Sequence, residues 1–155
     1  MRIVRATTRH VPAIAELMAA SPLLNRYRIT RAGASRSLKD ALRARDLLFV
    51  AMDAGAPAGF AWVIVSRALD HSAYLRLLLV SERQQSRGLG AALLARAERE
   101  VRAADARHLV LLVTRTNRRA RSFYERHGYA RVGDLPGFAR AGIDESLYVK
   151  SWRRS

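Results

Sequence analysis

Apolar residues recur along this chain in two periods. Runs in which nearly every residue is apolar or β-branched read as strands: Ile3–Ala6, Leu47–Met52, Ala58–Ser66, Tyr74–Val80 and Leu109–Val113. Stretches with apolar positions three and four apart read as helices. In Val11–Ala20, Ile14, Leu17 and Met18 share a face, Thr7 or Thr8 supplies a cap, and Pro12 suits the first turn. Residues Ser21–Ala34, with Pro22, Asn25, Tyr27 and Gly33, read as irregular. A short helix then runs to Arg45, capped by Ser35 or Ser37, with Leu38, Ala41 and Leu42 inward. A long helix follows Gly88, to about Asp105. It stacks Leu89, Leu93, Ala97 and Val101, with Leu94 beside them, and turns Arg96, Glu98, Arg99 and Arg102 outward. Asn117–His127 is helical, with Ala120, Phe123 and Tyr124 on one side and Gly128 as its stop. Ala130–Leu135 and Ser146–Val149 complete the strands, separated by a loop over Pro136–Gly142. Asp53–Pro57 and Arg67–His71 are turns.

The predicted order is β-α-α-β-β-β-α-β-α-β-β. It describes one α/β domain over residues 1–155, with about seven strands and about four helices. Meander strands precede a strand–helix–strand unit, so the sheet is expected to be mixed and mostly antiparallel.

Composition narrows the chemistry. There is no cysteine, which excludes disulfides, thiolate metal sites and a cysteine nucleophile. His10, His71, His108 and His127 show no ligand spacing, so no metal is expected. No apolar run approaches a membrane span, and Met1–Arg5 reads as a strand, so a cytoplasmic location is expected. The net charge is +15, and only Lys39 and Lys150 among 28 basic residues are lysines. These arginines are spread along the chain and aromatics are few, which describes a basic surface that attracts anions. Nucleic-acid binding is the alternative, but no stacking platform appears.

One stretch can bind an anion directly. Val80-Ser-Glu-Arg-Gln-Gln-Ser-Arg-Gly-Leu-Gly90 places a polar loop between a strand and the long helix. The first N–H groups of a helix lack partners, the helix dipole favours negative charge, and glycines allow close approach. A P-loop is excluded because no Lys-Ser or Lys-Thr follows the second glycine. A dinucleotide fingerprint fails at Leu93, and Thr114 and Arg115 end the next strand where an acid is required.

Gln85-Ser86-Arg87-Gly88-Leu89-Gly90 resembles the acyl-CoA loop of the GNAT N-acetyltransferases, Gln/Arg-x-x-Gly-x-Gly/Ala. Further on, Asn117, Ala120, Phe123, Tyr124, Gly128 and Tyr129 match that family's second signature, Asn-x-x-Ala-x-x-Phe-Tyr-x-x-x-Gly-Phe/Tyr. The predicted element order agrees from first strand to last. The resemblance implies acetyl-CoA as co-substrate and an amine as acceptor, with direct attack in a ternary complex. It implies that the backbone of Leu78, Leu79 and Val80 lies along the pantetheine arm, where two parallel strands splay beyond Val80 and Val113. It places the pyrophosphate on N–H groups of Gln85, Ser86, Arg87, Gly88, Leu89, Gly90 and Ala91, with Arg83 or Arg87 as charge partners. Asn117, Ala120, Phe123 and Tyr124 complete the cofactor site. Tyr124 is the implied general acid for the departing thiolate. On the residues alone, Tyr124 also suits a core aromatic, Asn117 a helix cap and Arg87 a solvated charge.

The pattern departs from the family at one point. Many members carry a glutamate on the fourth strand as general base; here that position is Tyr74, with Arg76 next on the same face. Asp144, Glu145 or a water chain including Tyr74 are the remaining options. Tyr27, Trp62, Tyr74 and Arg76 are candidate acceptor-lining residues. The tail resembles bacterial tabtoxin-resistance-type acetyltransferases of small amines, while other members with similar tails act on protein amines. The expected partners are therefore acetyl-CoA and an amine, with a small primary amine favoured and a homodimer compatible. A protein amine, or a non-catalytic CoA-binding or nucleic-acid-binding module, is the alternative.

Overall fold

The computed structural model describes residues 1–153. Seven strands form a sheet in the order β1-β2-β3-β4-β5-β7-β6: β1 Arg2–Arg5, β2 Leu47–Asp53, β3 Ala56–Val65, β4 Ser72–Val80, β5 His108–Thr114, β6 Ala130–Arg140 and β7 Ile143–Ser151. β4 and β5 pair in parallel, whereas β1–β2, β2–β3, β5–β7 and β6–β7 pair antiparallel. The mixed, mostly antiparallel sheet is thus the one predicted.

The helices are α1 Val11–Ala19, α2 Pro22–Asn25, α3 Arg31–Arg43, α4 Ala68–His71, α5 Leu89–Ala103 and α6 Arg118–Arg126. These are six against the four expected. The stretch read as irregular holds α2, because the Ser21 hydroxyl accepts from Leu24 N–H at 3.4 Å and caps one turn. It also holds the start of α3, which begins at Arg31 and not near Ser37. Thr30 Oγ1 accepts from Gly33 N–H at 3.0 Å, so this glycine of the stretch expected to be irregular is the capped residue of the first turn. α4 is a turn whose Leu69 and Asp70 are left-handed.

The chain clusters into two compact units, Met1–Ile64 with Leu77–Glu100, and Val65–Arg76 with Val101–Ser155. In the first, α1 and α3 cover one sheet face through Ile14, Met18, Leu38, Leu48, Val50, Phe60, Trp62 and Leu79. α5 buries Leu89, Leu93, Leu94 and Ala97, the face its periodicity predicted. The Arg96 guanidinium lies 4.9 Å from the Phe49 ring centroid, so the arginine covers an apolar strand residue. Residue 59 must be glycine. A Cβ there would stand 2.7 Å from the Leu79 carbonyl oxygen, 3.2 Å from Leu93 Cδ1 and 3.3 Å from Val80 Cα. This absence of a side chain lets β3 run close behind the last residues of β4.

In the second unit, β5, β6 and β7 pair along their lengths. β6 continues to Arg140 and β7 starts at Ile143, so the loop expected over Pro136–Gly142 shrinks to a turn. The register shifts between Leu135 and Arg140, and Gly137 takes φ 58°, so the extra residues are absorbed in an irregularity of the hairpin. α6 is fastened by Tyr148, a fully buried β7 residue. Its hydroxyl donates to Glu125 Oε1 at 2.8 Å and accepts from Arg121 Nε at 3.1 Å. Gly128 ends α6 with φ 88°, as its position predicted. No helix among the described residues is long and apolar enough to cross a membrane.

Candidate functional site

In the first unit the loop after β4 is held at both ends. Ser81 N–H donates to the Ala58 carbonyl at 2.9 Å, and Leu89, buried, anchors the start of α5. Between them lie a 3-10 turn, Glu82–Gln84, and the segment Gln85–Gly88. Ser86 and Gly88 have φ of 65° and 77°. Left-handed residues in such a loop turn backbone N–H groups outward, the geometry of an anion nest. The first main-chain bond of α5 is Ala92 N–H to Gly88 O at 3.0 Å. The N–H groups of Gly88, Leu89, Gly90 and Ala91 precede it and have no acceptor in a preceding turn.

Side chains brace this loop. Gln85 Nε2 donates to the Val80 carbonyl at 3.3 Å, and Gln84 Nε2 donates to Asp53 Oδ2 at 2.9 Å. Arg87 donates to Gln84 Oε1 at 3.2 Å, so Gln84 links Arg87 to the β2–β3 turn. Gln84 was not singled out in the sequence, because only the fold brings Asp53 beside it. Arg83, Arg87 and Glu82 are exposed.

In the second unit the parallel register of β4 with β5 runs from Ser72↔His108 to Leu75↔Leu111, while β5 continues to Thr114 and β4 to Val80. Pairing therefore stops earlier along both strands than the Val80 and Val113 expected. Asn117 follows β5 and caps α6, its Oδ1 accepting from Ala120 N–H at 3.1 Å. The side-chain amide N–H groups are not used by that cap.

Tyr124 lies two turns along α6 and is 8% exposed. Its ring meets Phe123 edge-on with centroids 5.1 Å apart, and Tyr129 edge-on at 5.6 Å. Burial pushes its phenol above the ordinary value, so it keeps its proton at neutral pH. Phe123 is half-buried, its ring tilted against His127 with centroids 4.4 Å apart. Successive side chains of an α-helix point about 100° apart, so Phe123 turns to the flank when Tyr124 takes the inward position.

The two acids expected before the last strand lie inside β7 and differ. Asp144 Oδ1 accepts from Gly137 N–H at 3.0 Å, and Oδ2 lies 3.6 Å from Arg115, so this side chain shapes the β6–β7 hairpin. Glu145 is 4% exposed and stands opposite Thr114 in the β5–β7 register. Of the acceptor candidates, Tyr27 is half-buried, and Trp62 belongs to the α1–α3 core with its indole N–H donating to Asp46 at 2.9 Å. In the second unit Tyr74 is half-buried and Arg76 exposed. No group of three or more His, Asp or Glu residues among those described could hold a metal ion.

Residues 14–129 match the model of the acetyltransferase (GNAT) family. No protein of curated function matches the sequence. Solved structures of similar fold include a GNAT-family protein from Desulfovibrio desulfuricans, 24% identical, covering 97% of this chain and 98% of its own, TM-score 0.77. The ribosomal-protein-S18-alanine N-acetyltransferase of Escherichia coli is 22% identical over 99% of this chain and 95% of its own, TM-score 0.80. An aminoglycoside 6'-N-acetyltransferase complexed with coenzyme A is 16% identical over 100% and 99%, TM-score 0.81.

Proposed function

The chain belongs to the GNAT family of acetyltransferases, and on that premise we propose that it transfers the acetyl group of acetyl-CoA to the primary amine of a small molecule. The observation that carries this reading is the loop after β4. It offers exposed glycine, two left-handed residues and the unpartnered N–H groups of a 15-residue helix to a diphosphate. The residues fit the cofactor's chemistry. Polar main chain receives the phosphates, Arg87 and Arg83 supply positive charge, and the backbone of Leu78–Val80 can pair with the pantetheine amides as a strand would.

Acetyl-CoA supplies an acetyl group already activated as a thioester. The chain's own residues then have three tasks. Backbone N–H near Val80 holds the carbonyl oxygen as negative charge develops on it. Tyr124, neutral through physiological pH, donates its proton to the departing sulfur. The proton that the attacking amine loses goes to Asp144, to Glu145, or into a water chain that includes Tyr74. Asp144 already accepts from Gly137 N–H and faces Arg115. Asn117 caps α6 with its oxygen and donates to the pantetheine arm with its nitrogen. The acceptor candidates are Tyr27 and Trp62 in the first unit and Tyr74 and Arg76 in the second. The cell compartment in this reading is the cytoplasm.

The test is binding followed by turnover. Gly88→Glu forces a side chain into φ 77° and sets a carboxylate where phosphate would rest, so calorimetry should show acetyl-CoA binding abolished in a folded variant. Unchanged affinity would overturn the loop assignment. A library of amines, peptides included, read by free-thiol release, then sets the acceptor class. Turnover restricted to peptides would replace the small-molecule reading with a protein amine.

A further inference from the structure

The second unit holds a cavity of about 440 Å³ lined by Arg115, Thr116, Arg118, Arg121, Arg131 and Asp134. Four guanidinium groups from three places meet there: the end of β5, the first two turns of α6, and β6. In the β6–β7 register Arg131 stands opposite Tyr148 and Asp134 opposite Ser146. Since Tyr148 bonds to α6, that is the α6 side of the hairpin.

The charges do not cancel. Asp134 pairs with Arg131 at 2.7 Å and accepts from the Ser146 hydroxyl at 2.8 Å. Asp144 reaches Arg115 only at 3.6 Å, and Glu125 is already the acceptor for Tyr148. Arg121 is committed to Tyr148 and to the Arg115 carbonyl, at 3.1 Å each. The exposed Arg118 side chain meets no hydrogen-bond or ion-pair partner among the described residues. Like charges gathered at an open cavity repel one another, and an anion with several oxygens relieves that repulsion. Guanidinium forks arriving from separate elements match tetrahedral phosphate better than a carboxylate, which presents one planar edge.

We propose that this cavity binds a phosphoryl group, with Arg115, Arg118 and Arg131 as its charged donors and the Thr116 hydroxyl as a neutral one. None of its lining residues belongs to the loop before α5. The phosphoryl group comes either from a free phosphorylated small molecule or from a nucleic-acid backbone.

Pyrophosphate is the probe, titrated by calorimetry at fixed salt with coenzyme A saturating. Three proteins are compared: wild type, Arg118→Ala/Arg131→Ala, and the charge-matched control Arg2→Ala/Arg36→Ala, all at exposed positions. Losing two charge-assisted contacts should weaken pyrophosphate by about tenfold or more. The control should stay near wild type. Arg118→Glu, a single exposed change, should produce a comparable loss and guards against a misfolded double variant. Acetyl-CoA affinity should be the same in all four proteins. A mixed-sequence single-stranded oligonucleotide that displaces pyrophosphate from wild type assigns the group to nucleic acid; one that does not assigns it to a small molecule. Equal losses in both double variants, no loss in either, malonate binding as tightly as pyrophosphate, or acetyl-CoA affinity falling with the cavity variant would each overturn the inference.

Discussion

Gly59→Ala isolates the contact that sets the end of β4. The added methyl would stand 2.7 Å from the Leu79 carbonyl oxygen and 3.3 Å from Val80 Cα, both main-chain atoms, with Leu93 Cδ1 at 3.2 Å. Leu93 can rotate, but the two backbone atoms yield only if β3 or the last residues of β4 move. Overpacking of this kind costs about 1–3 kcal/mol. Alanine recovers about 0.5–1 kcal/mol of that by reducing the freedom of the unfolded chain. A net loss of roughly 1–2 kcal/mol remains, or a Tm lower by roughly 2–8 °C in a protein of this size. Because the displaced peptide is the one assigned to the thioester, turnover should fall further than stability explains. Gly133→Ala is the internal control: its Cβ would meet nothing within 4 Å, and its stability should stay within about 0.5 kcal/mol of wild type. Thermal denaturation and turnover are read on both variants. Gly59→Ala melting with wild-type protein and turning over at the same rate would refute the steric argument.

Three further outcomes follow from the second unit. Tyr124→Phe keeps the ring and removes the proton donor, so the turnover rate should fall by about 10²–10⁴ while acetyl-CoA affinity is unchanged by calorimetry. The same side chain links stability to pH. Its phenol is raised in the folded state, so the folded protein holds a proton that the unfolded chain releases above about pH 10. Stability from this group is therefore complete below that pH and declines as pH rises, by up to about 1.4 kcal/mol per pH unit, and denaturant titrations of Tyr124→Phe should lack that slope. Tyr148→Phe breaks the bonds to Glu125 and Arg121. Both partners can turn to water, so urea unfolding should show a loss of about 1–2 kcal/mol and no more.

Much of this was readable from residue order. The four-residue spacing from Leu89 to Val101 gave the buried face of α5, and Gly128 marked the end of α6 because only a left-handed residue fits there. Where local rules competed, the reading slipped. Gly33 falls in a stretch that reads as irregular, yet it sits in the first turn of α3 once Thr30 caps it. Pro136, Gly137 and Gly142 read as a loop, yet the β6–β7 hairpin carries its pairing past them through an irregularity. At Asn117 the cap is present and uses the side-chain oxygen, which leaves the nitrogen for the cofactor role that the resemblance implies. Gly59 was invisible for another reason: alternation shows which face a strand residue takes, not how near the neighbouring main chain comes. The Tyr148–Glu125–Arg121 bonds and the arginine cavity join residues distant in sequence, and no spacing rule encodes them. The departure at Tyr74 was legible, but the burial of Glu145 was not.

Acetyl-CoA is proposed to give its acetyl group to nitrogen, and the transfer can be followed atom by atom. It is tested most directly with acetyl-CoA labelled on the acetyl carbons, incubated with the best amine from the library, and product mass measured beside free thiol. The account predicts labelled amide in one-to-one proportion with thiol, in wild type and far more slowly in Tyr124→Phe. Thiol released without labelled amide, or no release with any amine or peptide, would contradict it.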